Sequence, residues 1–122
     1  MNKPKKVLII EDEKTLARAL ELKLTRAGFE VKTVFNGEDG IALLQEETFA
    51  IILLDLIMPK MGGFVVLENL RIKKIKTPVI ILTNLSQEND IKRTKEFGVK
   101  EFFIKSNTPI VMIVERVMKL LK

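Results

Sequence analysis

The feature that most constrains this chain is a repeated alternation between short apolar segments and longer segments with helical spacing. In the helical segments apolar side chains recur every three or four residues, as in Leu16, Leu20 and Leu24. The intervals between apolar segments are long enough for parallel strand pairing. The five apolar segments are residues 7–10, 29–35, 49–54, 78–82 and 101–104. The pattern predicts an α/β fold with a five-stranded parallel sheet and helices on both faces.

Five helices are predicted after these strands. Gly28 and Gly98 stand where glycine commonly ends a helix, and Asn107 or Thr108 is predicted to cap the last helix, with Pro109 at its first position. The first four predicted helices cover residues 16–27, 37–47, 64–73 and 86–97.

The length of 122 residues fits one domain, and we expect residues 1–122 to form it without a linker. Apolar residues make up 47% of the chain and charged residues 30%, the balance of a globular protein. No signal peptide is visible, and no apolar run approaches the roughly 18 residues that span a membrane. The predicted location is the cytoplasm, without membrane association.

The chain contains no cysteine and no histidine. This excludes disulfide scaffolds, thiol catalysis, Ser-His-Asp chemistry and histidine-ligated metal sites on this chain. Any nucleophilic, acid-base or metal chemistry must therefore use carboxylates, lysines, hydroxyl groups or the backbone.

A net charge of +5 raises the question of nucleic-acid binding. The basic residues are dispersed, and the chain has no Tyr or Trp on which bases could stack. A lysine-rich solvent-facing surface is the favoured interpretation. We expect no sequence-specific nucleic-acid binding by this domain, although weak electrostatic affinity stays open.

Polar residues follow four of the five predicted strands: Glu11 with Asp12, then Asp55, Thr83 and Lys105. In an open α/β sheet the ligand crevice lies outside the carboxyl ends of the strands, so these residues converge there. For any one of these residues alone, a helix cap or a charged loop residue would be the favoured interpretation. Three carboxylates in one crevice repel each other and need a cation, and Lys105 alone cannot neutralise them.

An all-oxygen carboxylate site suits a hard divalent ion, and Mg²⁺ is the most plausible one. A carboxylate, a lysine and a hydroxyl group around Mg²⁺ indicate phosphoryl transfer. Asp55 ends the most apolar of the first three strands and is the predicted nucleophile, because carboxylates form aspartyl phosphates.

Over essentially its whole length the chain resembles the receiver domain of two-component response regulators. The resemblance rests on Glu11-Asp12, on Asp55 within the segment 54–63 (LDLIMPKMGG), on Thr83 after Ile81-Leu82, and on Lys105 after the segment 102–104 (FFI). It implies a doubly wound, flavodoxin-like sheet of order 2-1-3-4-5. It also implies a signalling domain that is no ordinary enzyme, although it assists its own phosphorylation and dephosphorylation.

The resemblance further implies how the site works. Asp55 would accept a phosphoryl group from a sensor histidine kinase or a phosphotransfer protein. Mg²⁺ would be held by Glu11, Asp12, Asp55 and the backbone carbonyl of Ile57. Lys105 would pair with a phosphoryl oxygen.

The implied switch consists of Thr83, which would move to bond the phosphoryl group, and Phe102, which would then turn inward. This conformational change would be transmitted to a partner through the fourth helix, the fifth strand and the fifth helix. This face is a candidate contact for a homodimer or an effector. Met112 lies on the polar side of the fifth helix and is a candidate part of that contact.

Two residues depart from the family pattern. Ser106 stands where the family usually has proline preceded by a cis bond, which leaves open whether the Lys105–Ser106 bond is trans and whether Lys105 is aimed differently. Asn84 stands where the family prefers a small residue, and it could crowd the phosphoryl site or add a donor to it. Neither departure removes a catalytic group.

Two alternatives are weaker. A Mg²⁺-dependent phosphohydrolase of the haloacid dehalogenase type would have a second Asp two residues after the first, where this chain has Ile57. A flavodoxin-like cofactor-binding module would need a hydroxyl-rich phosphate loop after the first strand, where this chain has Glu11, Asp12 and Glu13.

The side chains that the resemblance places beside the water path to the phosphoryl group are Ile57 and Leu85, and both are apolar. Because neither can hydrogen-bond and orient a water molecule, we expect a long-lived aspartyl phosphate.

Overall fold

The computed structural model describes residues 3–84 and 88–121. Its centre is a parallel five-stranded sheet in the order β2-β1-β3-β4-β5, which confirms the predicted architecture. The strands are β1 (Lys6–Ile10), β2 (Glu30–Val34), β3 (Ile51–Leu54), β4 (Val79–Thr83) and β5 (Glu101–Ile104).

Each strand is followed by a helix, and the boundaries differ from the sequence prediction by a few residues. The predicted start of the fourth helix at Ser86 lies outside the described residues. The helices are α1 (Lys14–Arg26), α2 (Gly37–Glu46), α3 (Gly63–Ile72), α4 (Glu88–Glu96) and α5 (Ile110–Leu121), and a 3₁₀ turn spans Lys105–Asn107 before α5. The Thr108 hydroxyl group donates to the Ile104 carbonyl oxygen at 2.9 Å.

The three central strands β1, β3 and β4 are buried on both faces of the sheet. Successive side chains of a strand point to opposite faces, so each of these strands contributes to two apolar layers. In β1, Ile9 belongs to an apolar cluster with α1 and α5, whereas Leu8 and Ile10 belong to a second cluster with α2 and α3. All three side chains are fully buried. The continuous apolar runs of β1, β3 and β4 follow from this two-sided burial.

None of the helices in the described part of the chain is both long enough and apolar enough to cross a membrane.

Candidate functional site

The ends of β1 and β3 bring two carboxylates together. Ile10 pairs with Leu54 in the parallel register, and the Asp55 N–H donates to the Ile10 carbonyl oxygen at 3.1 Å. Glu11 and Asp55 each follow one member of this pair, so both reach the same edge of the sheet. They are 2% and 3% exposed, which is unusual for acidic residues and requires compensation by neighbours.

Lys105, which follows β5, supplies that compensation. Its Nζ donates to Glu11 Oε2 at 2.8 Å and to Asp55 Oδ2 at 2.9 Å, and its side chain is 10% exposed. No cis peptide bond occurs among the described residues, so the Lys105–Ser106 bond is trans. The residue that replaces the family's proline therefore does not turn Lys105 away from the carboxylates.

The two oxygen atoms of Glu11 have different surroundings. Oε2 accepts the hydrogen bond from Lys105 and a second one from the Glu13 backbone N–H at 2.9 Å. Oε1 also lies 2.8 Å from Lys105 Nζ, but it accepts no well-directed hydrogen bond from the described residues, and it is buried. A buried acceptor of this kind has an unused lone pair that a cation could take.

Burial raises the pKa of Glu11 from 4.5 to about 7. Hydrogen bonds from Lys105 and Glu13 oppose this rise, and the negative charge of Asp55 adds to it. Burial lowers the pKa of Lys105, but the hydrogen bonds to Glu11 and Asp55 and the negative charges of these residues together raise it above its ordinary value. Lys105 therefore stays charged, while the carboxylates remain incompletely neutralised.

Asp12 is exposed and completes an acidic cluster with Glu11 and Asp55. One oxygen from each of the three residues lies within 4.8 Å of the other two. One ammonium group pairs with two of these three carboxylates, Glu11 and Asp55. All the candidate ligand atoms are oxygens, which fits a hard divalent cation. The cluster is thus able to hold a metal ion, as the sequence predicted.

The loop after β3 holds Asp55 from its other side. The Ile57 N–H donates to Asp55 Oδ1 at 3.1 Å, and the Ile57 side chain is 54% exposed. A Cβ atom on Gly63 would lie 2.5 Å from the Asp55 carbonyl oxygen, so the start of α3 can pack here only without a side chain. The predicted role of the Ile57 carbonyl as a metal ligand stays a prediction.

The two predicted switch residues lie on neighbouring strands. Thr83 ends β4 opposite Ile104 and is fully buried. Phe102 pairs with Ile81 in the β4–β5 register, and its half-buried ring packs against the apolar cluster that includes α2 and α3. Their movement on phosphorylation stays a prediction.

Asn84 has a contact that the sequence did not predict. Its Oδ1 accepts a hydrogen bond from the Ser106 backbone N–H at 3.2 Å, across the loops that follow β4 and β5. Leu85, the other predicted neighbour of the water path, lies outside the described residues.

Glu13 is a second residue that the sequence reasoning did not assign to the site. Its carboxylate lies 3.6 Å from Lys105 Nζ, and its N–H orients Glu11. The acidic run from Glu11 to Glu13 was the available signal. The signal for Gly63 was the adjacent pair of glycines after β3.

The model of the response regulator receiver domain matches residues 7–117. The chain belongs to this family. The cell cycle response regulator CtrA of Brucella ovis is 41% identical over 100 residues, which cover 82% of this chain and 43% of that protein. The chain thus spans less than half the length of the curated relatives it matches.

Solved receiver domains share the fold. The Francisella response regulator 1452 receiver domain superposes with a TM-score of 0.89 at 28% identity, over 96% of each chain. The response regulator TrrA of Thermotoga maritima, solved in complex with Mg²⁺-BeF, superposes with a TM-score of 0.81 at 27% identity, over 96% of this chain and 99% of that one.

Family membership establishes a signalling role for the chain as a receiver domain of two-component response regulators. Domains of this family interact with histidine kinases or phosphotransfer proteins. The phosphohydrolase and flavodoxin-like alternatives are therefore set aside.

Proposed function

We propose that Asp55 accepts a phosphoryl group from the phosphohistidine of a histidine kinase or phosphotransfer protein. The observation that carries the proposal is the buried Asp55 carboxylate, which lies 2.9 Å from Lys105 Nζ and beside the second buried carboxylate of Glu11. A phosphoryl group has the negative charge that Lys105 can bind, and Asp55 supplies the nucleophilic oxygen.

The chemistry needs no general base on this chain. An Asp55 carboxylate oxygen attacks phosphorus and forms an acyl phosphate as the phosphorus–nitrogen bond of the phosphohistidine breaks, and the electron pair of that bond goes to the imidazole of the donor. The Ile57 N–H holds Oδ1, and Lys105 holds Oδ2. Lys105 would shift its donation from Oδ2 to a phosphoryl oxygen as charge transfers to that group.

Glu11, Asp12, Asp55 and the backbone carbonyl of Ile57 would hold Mg²⁺. The close carboxylate oxygens support this site, and so does the buried Glu11 Oε1, which accepts no well-directed hydrogen bond from the described residues. The Mg²⁺-BeF complex of TrrA supports the same metal. When bound, Mg²⁺ supplies positive charge that neutralises the phosphoryl oxygens.

The conformational change on phosphorylation is proposed to begin with the movement of Thr83, to continue with Phe102 turning inward, and to reach the face formed by α4, β5 and α5. On α5 the side chains of Val111 and Met112 are 52% and 50% exposed. Arg116 Nε lies 3.2 Å from Glu101 Oε1 and links α5 to β5. A homodimer or an effector contact at this face stays part of the proposal.

Four further expectations remain predictions. They are that residues 1–122 form one receiver domain, that the domain assists dephosphorylation of its own Asp55, that it operates in the cytoplasm, and that it binds no specific nucleic-acid sequence.

Phosphorylation by a small donor tests the proposal. The protein is incubated with acetyl phosphate and Mg²⁺, and intact mass is followed with time. We expect one phosphoryl group on the wild type and on Asp90→Asn, a control in α4 outside the carboxylate cluster, and none on Asp55→Asn. Labelling of Asp55→Asn to the wild-type level would refute the proposal.

A further inference from the structure

We propose that Asn84 is a positioning residue for Lys105, and that it acts through the hydrogen bond its side chain accepts from the Ser106 backbone N–H. The inference rests on the proposed function of Asp55 and Lys105. Asn84 directly follows Thr83, and Ser106 directly follows Lys105. The hydrogen bond therefore joins the residue after Thr83 to the residue after Lys105, and both Thr83 and Lys105 have roles in the proposed function.

The hydrogen bond extends the pairing of β4 and β5 beyond the sheet. The backbone register of these strands ends with Thr83 opposite Ile104. At the other end the Lys100 N–H donates to the Val79 carbonyl oxygen. Ser106 lies beyond the end of β5, in the 3₁₀ turn, yet its N–H still points toward the β4 side. There the Asn84 side chain supplies the acceptor, with a separation of 3.2 Å.

Lys105 needs such an attachment because its ammonium group reaches past β4. Its partners, Glu11 and Asp55, follow β1 and β3, whereas its own strand β5 lies at the edge of the sheet. The backbone turns into a 3₁₀ turn at Lys105, where strand pairing no longer fixes it. A contact one residue later restricts the backbone from which the long side chain extends, and a small displacement there would misplace the ammonium group.

The chemistry of the contact defines which substitutions break it. The donor is a backbone N–H, which every residue except proline carries, so the hydroxyl group of Ser106 takes no part. The acceptor is a side-chain oxygen, which alanine at position 84 lacks. Proline at position 106 and alanine at position 84 therefore both remove this hydrogen bond, but proline also restricts the backbone of Lys105 and makes a cis bond before it accessible.

The rate of phosphorylation by acetyl phosphate with Mg²⁺ is compared across these variants. We expect Asn84→Ala to slow the reaction about fivefold, the size of effect that one net hydrogen bond produces, and Ser106→Pro to slow it at least as much, because proline also restricts the Lys105 backbone. Adding Asn84→Ala to Ser106→Pro should cause no further loss, because the hydrogen bond is already absent. Ser106→Ala should stay within twofold of the wild type, and Asn89→Ala, an exposed asparagine in α4, should match it.

A second measurement uses the unphosphorylated protein and so does not depend on Asp55 accepting phosphate. NMR should show that Asn84→Ala speeds hydrogen exchange at the Ser106 amide and increases the mobility of the Lys105 ammonium group. Lys105 mobility equal to wild type in Asn84→Ala would overturn the inference even if Asp55 proved not to be the acceptor.

Two kinetic results would also overturn it. One is a wild-type phosphorylation rate in Asn84→Ala. The other is an equal loss in Ser106→Ala and Ser106→Pro, because the hydroxyl group and not the N–H would then be the active group. If Ser106→Pro fails to fold, Asn84→Ala alone decides the question through both measurements.

Discussion

The Lys105 ammonium group lies 2.9 Å from the Asp55 carboxylate, although the strands that precede these residues are separated in the sheet by β4. The long lysine side chain thus spans the carboxyl edge of the sheet and meets two buried acids there. Two acidic groups, Glu11 and Asp55, therefore share one ammonium group. Because of this imbalance, the stability and the chemistry of the site depend on added cations and on pH.

The stability of the metal-free protein should fall as pH rises from about 4.5 to about 7. Glu11 has a pKa of about 7 in the folded protein and an ordinary value of 4.5, so the folded state binds more protons within this window. The Glu11 contribution is fully present below the lower value and is lost as pH passes the upper one. The free energy of unfolding, from urea titrations at several pH values, should carry a Glu11 contribution on the order of 3 kcal/mol.

The variant Glu11→Gln isolates this contribution, because glutamine does not titrate. The difference in the free energy of unfolding between wild type and Glu11→Gln should change between pH 4.5 and pH 7. Glu115 is an exposed glutamate in α5, and the stability of Glu115→Gln should depend on pH as that of the wild type does. Mg²⁺ competes with the proton on Glu11, so it should stabilise the wild type more at pH 8 than at pH 5.5. A pH-independent difference between wild type and Glu11→Gln would contradict the assignment.

Replacement of Lys105 by methionine should destabilise the metal-free protein by about 3 kcal/mol near neutral pH, because it leaves two buried carboxylates without their cation. Lys92→Met, at an exposed position of α4, should have little effect. Urea unfolding should show a smaller loss at pH 5, where Glu11 is protonated, and partial recovery with Mg²⁺. A loss that neither acid nor Mg²⁺ reduces would show that Lys105 acts mainly through packing.

Gly63→Ala should cost about 1–3 kcal/mol of stability. The new Cβ would lie 2.5 Å from the Asp55 carbonyl oxygen and 2.6 Å from Leu56 Cα, so the backbone that carries Asp55 must shift. Gly62→Ala is the matched control, because its nearest contact would be 3.3 Å and its φ of −71° suits alanine. Thermal unfolding compares the two, and equal losses would contradict the steric argument.

Ile57→Asn should speed the decay of the aspartyl phosphate about fivefold, which corresponds to about 1 kcal/mol of activation free energy. Ile57 is exposed beside Asp55, and asparagine could orient the attacking water where isoleucine cannot. The decay is timed after removal of the phosphate donor, with Ile72→Asn, at an exposed position at the end of α3, as the control. Equal decay rates in Ile57→Asn and wild type would show that this side chain does not limit water access.

The sequence predicted the features that depend on periodicity and on sheet topology. Apolar strand runs and their crossovers determine which edge carries Glu11 and Asp55, so their proximity could be predicted before any coordinate was known. The hydrogen bond between Asn84 and Ser106 could not, because it depends on the backbone path of two loops that periodicity does not describe. The same holds for the hydrogen bond that the Thr108 hydroxyl group donates to the Ile104 carbonyl oxygen.

The most direct test of the account is the position of the acyl phosphate in the chain. The protein is phosphorylated with acetyl phosphate and Mg²⁺, the acyl phosphate is reduced with borohydride to the corresponding alcohol, and peptides are sequenced by mass spectrometry. The chain has four aspartates, at positions 12, 39, 55 and 90. We expect the reduced residue at Asp55 alone, and reduction at Asp12 or at another carboxylate with Asp55 intact would contradict the account.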